Sequence, residues 1–130
     1  KETNKRLIAV SCRDKTNDVY VQQGVLHDAD KQFDLNPIDT LAGEHNHQNA
    51  AVAYAVSRVC GLDSEIIYQA MQSFPGLAHR SQLVTEINGV KFINDSKATN
   101  ADAASHALGA YHNIYWIAGG VAKDGGIEIC

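Results

Sequence analysis

The residues best suited to chemistry lie in Asn94-Asp95-Ser96-Lys97-Ala98-Thr99-Asn100. A carboxylate, an ammonium and a hydroxyl follow one another at alternate positions, just after the hydrophobic run Val90-Lys91-Phe92-Ile93 and just before the alanine-rich 101–108. The pattern reads as strand, polar loop, helix. At such a junction the first helical turn offers N–H groups with no internal partner and the positive end of the helix dipole, so an anion is the natural ligand. The same residues also suit a solvated loop with Thr99 or Asn100 as an ordinary helix cap. Residue types alone leave both readings open.

Other candidates are weaker one by one. Gly119-Gly120-Val121-Ala122-Lys123 places a glycine pair, which lets backbone approach a ligand, before a basic side chain. His79-Arg80 follows the break Pro75-Gly76, where the cation serves either a contact or solvent. His45-Asn46-His47 invites a metal reading, but imidazoles two apart at a helix start diverge, and no carboxylate or Cys follows at ligand spacing. Capping and packing are the simpler reading there, and no metal site is expected. No Gly-x-x-x-x-Gly-Lys-Ser/Thr phosphate loop occurs in the 130 residues.

The elements that must position these residues follow from periodicity. Leu7 to Cys12 and Asp18 to Gln22 read as strands, and Gly24 before Val25-Leu26 suggests a hairpin, with Phe33 and Leu35 alternating once more. Asn49, Val52, Ala53, Val56 and Cys60 recur at three and four, predicting a helix with that face inward, Asn46 as its N-cap and Gly61 at its end. A second helix is expected from Asp63, burying Ile66, Ile67, Ala70, Met71 and Phe74, and stopping at Pro75-Gly76. The period then changes to alternation through Leu83, Thr85 and Ile87, and Asn88-Gly89 is the strongest short hairpin signal. Asn113 to Ala118 reads as a further buried strand. Strand, helix and strand would then form a right-handed parallel crossover, bringing 96–100 and 119–123 to one sheet edge. The fold class expected is α/β, with a boundary near Phe74 to Leu77 dividing 1–76 from 77–130.

Composition narrows the function classes. Hydrophobic residues make up 45% of the chain, enough for a core, and the net charge of −4 argues against general binding to nucleic acid or anionic membrane. From His79 to Thr99, however, Arg80, Lys91 and Lys97 stand against Glu86 and Asp95, a local positive excess compatible with a phosphate-bearing small molecule. The three cysteines are far apart, with no CxxC pair, so a reducing cytosol is the default compartment. No apolar run approaches the ~20 residues of a membrane span. A start at Lys1 without Met, and an end within what reads as another element, suggest a piece of a longer polypeptide.

Four stretches together resemble the ordered motifs of the Mur ligases: Gly43-Glu44-His45-Asn46-His47-Gln48-Asn49-Ala50, Phe74-Pro75-Gly76-Leu77-Ala78-His79-Arg80, the Asn94 to Asn100 loop, and Gly119 to Lys123. Each is modest alone, but four in the right order are specific. Within the family the likeness is greatest to the member that adds D-glutamate to UDP-N-acetylmuramoyl-L-alanine. The resemblance implies the end of a central ATP-binding α/β domain in 1–76 and the beginning of a Rossmann-like C-terminal domain in 77–130. It further implies ATP and Mg²⁺ as cofactors, with the Mg²⁺ ligands outside this stretch. A cytoplasmic role in peptidoglycan precursor synthesis is implied too, by way of an acyl phosphate.

Residue by residue, the resemblance places His45, Asn46 and Asn49 on the adenine side, Arg80 on ATP, and Asp95 on the ribose. Thr99 and Lys123 would hold the D-glutamate carboxylates, and Lys97 is the catalytic candidate. The 130 residues alone are expected to have no ligase activity. The alternatives are another Mur ligase or a folylpolyglutamate synthetase, or, from a different class, an inert nucleotide-binding module. No nucleic-acid or membrane partner is expected.

Overall fold

The computed structural model describes residues 7–121, 126–128 and 130 of a mixed α/β chain. It divides into two compact units, Lys1–Phe74 and Pro75–Cys130.

In the first unit four strands form one sheet in the order β1 (Val10–Ser11), β2 (Val19–Gln22), β3 (Val25–Asp28), β4 (Lys31–Asp34). β1 runs parallel to β2, and the other neighbours are antiparallel. Alternation puts Val19, Val21, Leu26 and Phe33 on the buried face. The β2–β3 turn uses Gln23 and Gly24, both at positive φ (51° and 78°), the backbone that matches strand twist in a two-residue hairpin. A Cβ on Gly24 would run into the Asn36 side-chain amide and displace it, and the positive φ is itself strained for any other residue. Asn36 in turn donates from Nδ2 to Gln23 O at 3.0 Å.

After a single 3₁₀ turn, Asp39–Leu41, helix α1 (Glu44–Val59) packs against β1 and β2, and α2 (Ser64–Gln72) follows. The buried face of α1 is not the one its aliphatic spacing predicts. Asn46, Ala50, Ala51, Tyr54 and Ala55 are buried, whereas Val52 and Val56 are 46% and 58% exposed. Small alanines let the helix approach the sheet closely, and Tyr54 fills the remaining space. The Tyr54 ring lies 5.7 Å from that of Phe33, and its hydroxyl donates to Asp28 Oδ2 at 2.8 Å. Asn46 is not the N-cap either. Gly43 occupies that position, and Asn46, three residues further on, donates from Nδ2 back to Ala42 O at 2.8 Å.

Cys60 and Gly61, the latter at φ 87°, close α1, as expected for a glycine just past a helix end. Asp63 caps α2 by accepting Glu65 N–H at 2.9 Å. Of the five side chains expected inside on α2 and just after it, Ile67 and Met71 are buried, while Ile66, Ala70 and Phe74 are exposed. Nine residues of helix meet the core along one narrow line.

The second unit holds the hairpin β5 (Gln82–Ile87) and β6 (Val90–Asn94), then α3 (Ala101–Leu108). Asn88 (φ 51°) and Gly89 (φ 78°) make the expected turn. The ladder shifts register between Leu83 and Thr85. The strand expected at Asn113 to Ala118 does not form. A strand exists only by pairing, and β5 and β6 pair with each other alone among the described residues. Among the described residues there is therefore no parallel crossover to place the 96–100 loop on a shared sheet edge, and 122–123 of the second expected loop lie outside them.

Candidate functional site

The polar loop begins where β6 ends. Asn94 Oδ1 accepts Ser96 N–H at 3.0 Å, and Asp95 O accepts Ala98 N–H at 2.9 Å. These two bonds fold 94–98 into a tight turn that exposes Ser96 and Lys97. Asn100 then opens α3, its Oδ1 accepting Ala103 N–H at 2.8 Å. Asn100 is thus the cap, which leaves the exposed hydroxyl of Thr99 one residue outside the helix.

A second turn, Leu77 to Ser81, is fastened to this loop. His79 and Ser81 both take positive φ, 65° and 43°, a region that side chains occupy rarely and only when neighbours hold them there. The neighbours are identifiable. Asp95 Oδ1 accepts Ser81 N–H at 2.8 Å, His79 O accepts Lys97 N–H at 2.9 Å, and Asn94 Nδ2 meets His79 Nδ1 at 3.1 Å. Gln82 Oε1 also accepts His79 N–H at 2.9 Å. Arg80, between the two positive-φ residues, is exposed on a backbone fixed from both sides. The backbone that carries Arg80 is thereby tied, through His79 and Ser81 on either side of it, to the Asp95–Lys97 segment.

Charge and geometry agree on what such a cluster can do. A carboxylate pinned through one oxygen presents the other in a set direction, suited to accepting from paired hydroxyls. Arg80 and Lys97, both exposed and carried on the two joined turns, add cations suited to a polyanion. Sequence reasoning singled out Arg80, Asp95 and Lys97 but missed Ser81, Gln82, and the pairing of His79 with Asn94. The available signal was the unbroken polar run His79-Arg80-Ser81-Gln82, which follows Pro75-Gly76 after Leu77-Ala78.

In the first unit, His45 and Asn49 stand four apart on α1, on one face one turn from the helix start. Asn49 is exposed and His45 half-buried. The buried Asn46 has its amide committed to Ala42 O. His47 titrates below its ordinary value of 6.5 because burial disfavours the imidazolium, an effect that Asp34 and Glu44 oppose. Lys123 lies outside the described residues. Two surface grooves, one lined by Pro37, Asp39 and Phe74 and the other by Val10, Val52 and Val59, contain none of the predicted residues. Among the described residues no three His, Cys, Asp or Glu side chains gather as a metal site, and no helix is long and apolar enough to cross a membrane.

No protein-family model matches the chain. Individual proteins do. Over 133 aligned residues, 98% of this chain, it is 53% identical to the UDP-N-acetylmuramoylalanine–D-glutamate ligase of Rhodospirillum rubrum, of which it covers 28%. The chain belongs to the Mur ligase family. The ligase of the same name from a Jannaschia species is 58% identical over 96 residues, 74% of this chain and 21% of the relative. That of Roseobacter denitrificans is 51% identical over 115 residues, 85% of this chain and 25% of the relative. The chain therefore spans about a quarter of the length of these curated Mur ligases.

Proposed function

We propose that the chain is part of an ATP-dependent ligase that joins D-glutamate to UDP-N-acetylmuramoyl-L-alanine in peptidoglycan precursor synthesis. The observation that carries this reading is the 53% identity to a ligase of that name across 98% of the chain. The fastening of Arg80 to the Asp95–Lys97 segment supports it, since both are nucleotide-side candidates. In this reading 1–76 closes a central ATP-binding domain, and 77–130 begins a Rossmann-like C-terminal domain that takes D-glutamate.

The residues then have the following work. Asn49 can both donate to and accept from a purine edge, with His45 beside it on the same helix face and Asn46 holding the helix start. Asp95 accepts from the ribose hydroxyls. Arg80 places a planar cation against phosphate oxygens. Thr99 and Lys123 bind the two carboxylates of D-glutamate. Lys97, the catalytic candidate, offsets negative charge that builds up during transfer.

The substrate carboxylate oxygen attacks the γ-phosphorus and ADP leaves. The amine of D-glutamate attacks the resulting acyl phosphate, and phosphate departs from the tetrahedral intermediate as the nitrogen loses its proton. Bound Mg²⁺ would neutralise phosphate charge, and no residue of this chain is assigned to it. The chain's own share is positioning, which can be worth several powers of ten in rate. The compartment proposed is the cytoplasm, without nucleic-acid or membrane partners.

The test is phosphate release by the whole protein that carries this chain, given ATP and UDP-N-acetylmuramoyl-L-alanine with D-glutamate or with L-lysine. Release with D-glutamate alone is expected, and release with L-lysine alone, or with neither, overturns the proposal. Asp95→Asn should raise KM for ATP and Thr99→Ala KM for D-glutamate, each leaving the other constant near its original value.

A further inference from the structure

One bond between the two turns carries chemical information beyond its geometry. Asn94 Oδ1 accepts Ser96 N–H at 3.0 Å, and Nδ2 of the same side chain lies 3.1 Å from His79 Nδ1. An amide oxygen only accepts and an amide nitrogen only donates. Because Ser96 N–H requires the oxygen, the nitrogen must face the histidine, and a flipped amide would set two donors against each other at Ser96. His79 Nδ1 is then the acceptor. The ring must be neutral with its proton on Nε2, one form of the three available to it.

The rest of His79 is equally committed. Its N–H donates to Gln82 Oε1 at 2.9 Å and its carbonyl accepts Lys97 N–H at 2.9 Å. The positive φ of His79 and of Ser81 bracket Arg80, so whatever holds His79 also sets where the guanidinium stem leaves the backbone.

We propose that Asn94 and neutral His79 form a latch that positions Arg80 and the Asp95–Lys97 segment for the nucleotide. The proposal rests on the reading of Arg80 and Asp95 as ATP-contacting. Asn94 and His79 are positioning residues that act through those neighbours. The charged groups bordering the latch are Arg80 on the same turn and Asp95 and Lys97 on the loop after β6. Imidazolium carries N–H at both nitrogens, so protonation sets Nδ1–H against the amide N–H of Asn94 and opens the latch. Asn94→Asp keeps an acceptor for Ser96 N–H and gives His79 a second acceptor, reversing the sense of the bond. That bond survives protonation of the ring.

The experiment uses the whole protein with ¹⁵N-labelled histidine, together with Arg80→Ala, Asn94→Leu and Asn94→Asp. Imidazole nitrogen shifts report the tautomer, and steady-state kinetics over pH report the latch. The expected result at neutral pH is a His79 ring unprotonated at Nδ1. Asn94→Leu should raise KM for ATP roughly tenfold to a hundredfold, the scale of a small misplacement of a binding group, with KM for D-glutamate unchanged. The unsubstituted protein is expected to lose kcat/KM toward acid pH as the latch opens, and Asn94→Asp should restore KM for ATP and remove that fall.

A His79 protonated on Nδ1 at neutral pH overturns the latch. So does an Asn94→Leu protein with normal KM for ATP beside an impaired Arg80→Ala, or an Asn94→Asp protein that keeps the acid fall. If Asn94→Leu does not fold, the tautomer and Asn94→Asp still decide. An Arg80→Ala protein with normal KM for ATP overturns the nucleotide reading itself, so the two failures are told apart.

Discussion

The two units hold their shape by different means. Every buried hydrophobic side chain among the described residues lies in Lys1–Phe74, from Val19 to Met71. In Pro75–Cys130 the one buried residue described is Ser81, while Leu83, Val84, Ile87, Phe92 and Trp116 are exposed and α3 buries nothing fully. Burial of a large apolar side chain stabilises by roughly 1.5–3 kcal/mol, and a typical net hydrogen bond by roughly 0.5–1.5 kcal/mol. The first unit therefore rests mainly on its core. The second rests on turn chemistry, a cap and the bonds between its two loops, and a two-stranded hairpin with so little cover is marginal by itself. The candidate residues Arg80, Asp95, Lys97 and Thr99 belong to the unit in which polar bonds, and not packing, set the geometry.

This contrast can be tested, and the largest effect is expected in the core. Leu26→Ala removes a side chain with no exposed surface and should cost about 2–5 kcal/mol, read as a lower denaturation midpoint for amides of β2, β3 and α1. If the second unit's amides lose protection to the same extent, the two units are not separate in energy.

Tyr54→Phe keeps the ring but removes the bond to the Asp28 carboxylate, which also pairs with Arg58 at 3.4 Å. A loss of about 1.5–3 kcal/mol is expected for a hydrogen bond to a charged group. The Tyr54 hydroxyl titrates above its ordinary value of 10.0, chiefly because burial disfavours the phenolate and further because of the bond to Asp28. The unfolded chain releases that proton first, so stability should fall as pH rises above 10.0, and Tyr54→Phe should remove that fall.

Asn100→Ala should cost about 0.5–2 kcal/mol, the usual loss of an N-cap, and act on α3 alone. Faster amide exchange at Ala103 and Ala104 with unchanged exchange in α1 would sharpen the contrast.

The smallest effect belongs to His47. Its folded-state titration lies below the ordinary 6.5, so the unfolded chain binds the proton more readily. The stability involved is fully present above pH 6.5 and is lost as pH falls through the lowered value. His47→Gln should flatten the pH dependence of unfolding in that window without altering the midpoint at neutral pH by much.

Local signals in the chain were easily read. Asn88-Gly89 makes its turn, Asp63 caps α2, Gly61 follows the end of α1, and the alternation of Val19 with Val21 and of Phe33 with Leu35 marks buried positions. Each depends on residues within a few positions of one another. The face of α1 was misread because the larger aliphatics, Val52 and Val56, outweighed Ala50, Ala51 and Ala55 in any count of hydrophobicity. Close approach to a sheet favours the smaller side chains. The strand expected at Asn113 to Ala118 failed for another reason, since an apolar run of that length needs a neighbouring strand to pair with. In the candidate site, the polar loop and Arg80 were visible as residue types. Their connection was not, because fourteen residues and a hairpin separate Ser81 from Asp95.

Residue order alone therefore decides where the Asn88-Gly89 hairpin turns, where α1 ends and α2 begins and ends, and, through four ordered motifs, which family the chain joins. Turns and caps are set by the local backbone preferences of Gly, Asn, Asp and Pro, and these travel with the sequence. Tertiary structure decides which helix face is buried, whether an apolar run becomes a strand, and which way the Asn94 amide points. Those outcomes depend on what the returning chain places opposite each group. A donor or an acceptor acquires its sense only when its partner is fixed, as Ser96 N–H fixes Asn94 and Asn94 then fixes the ring of His79.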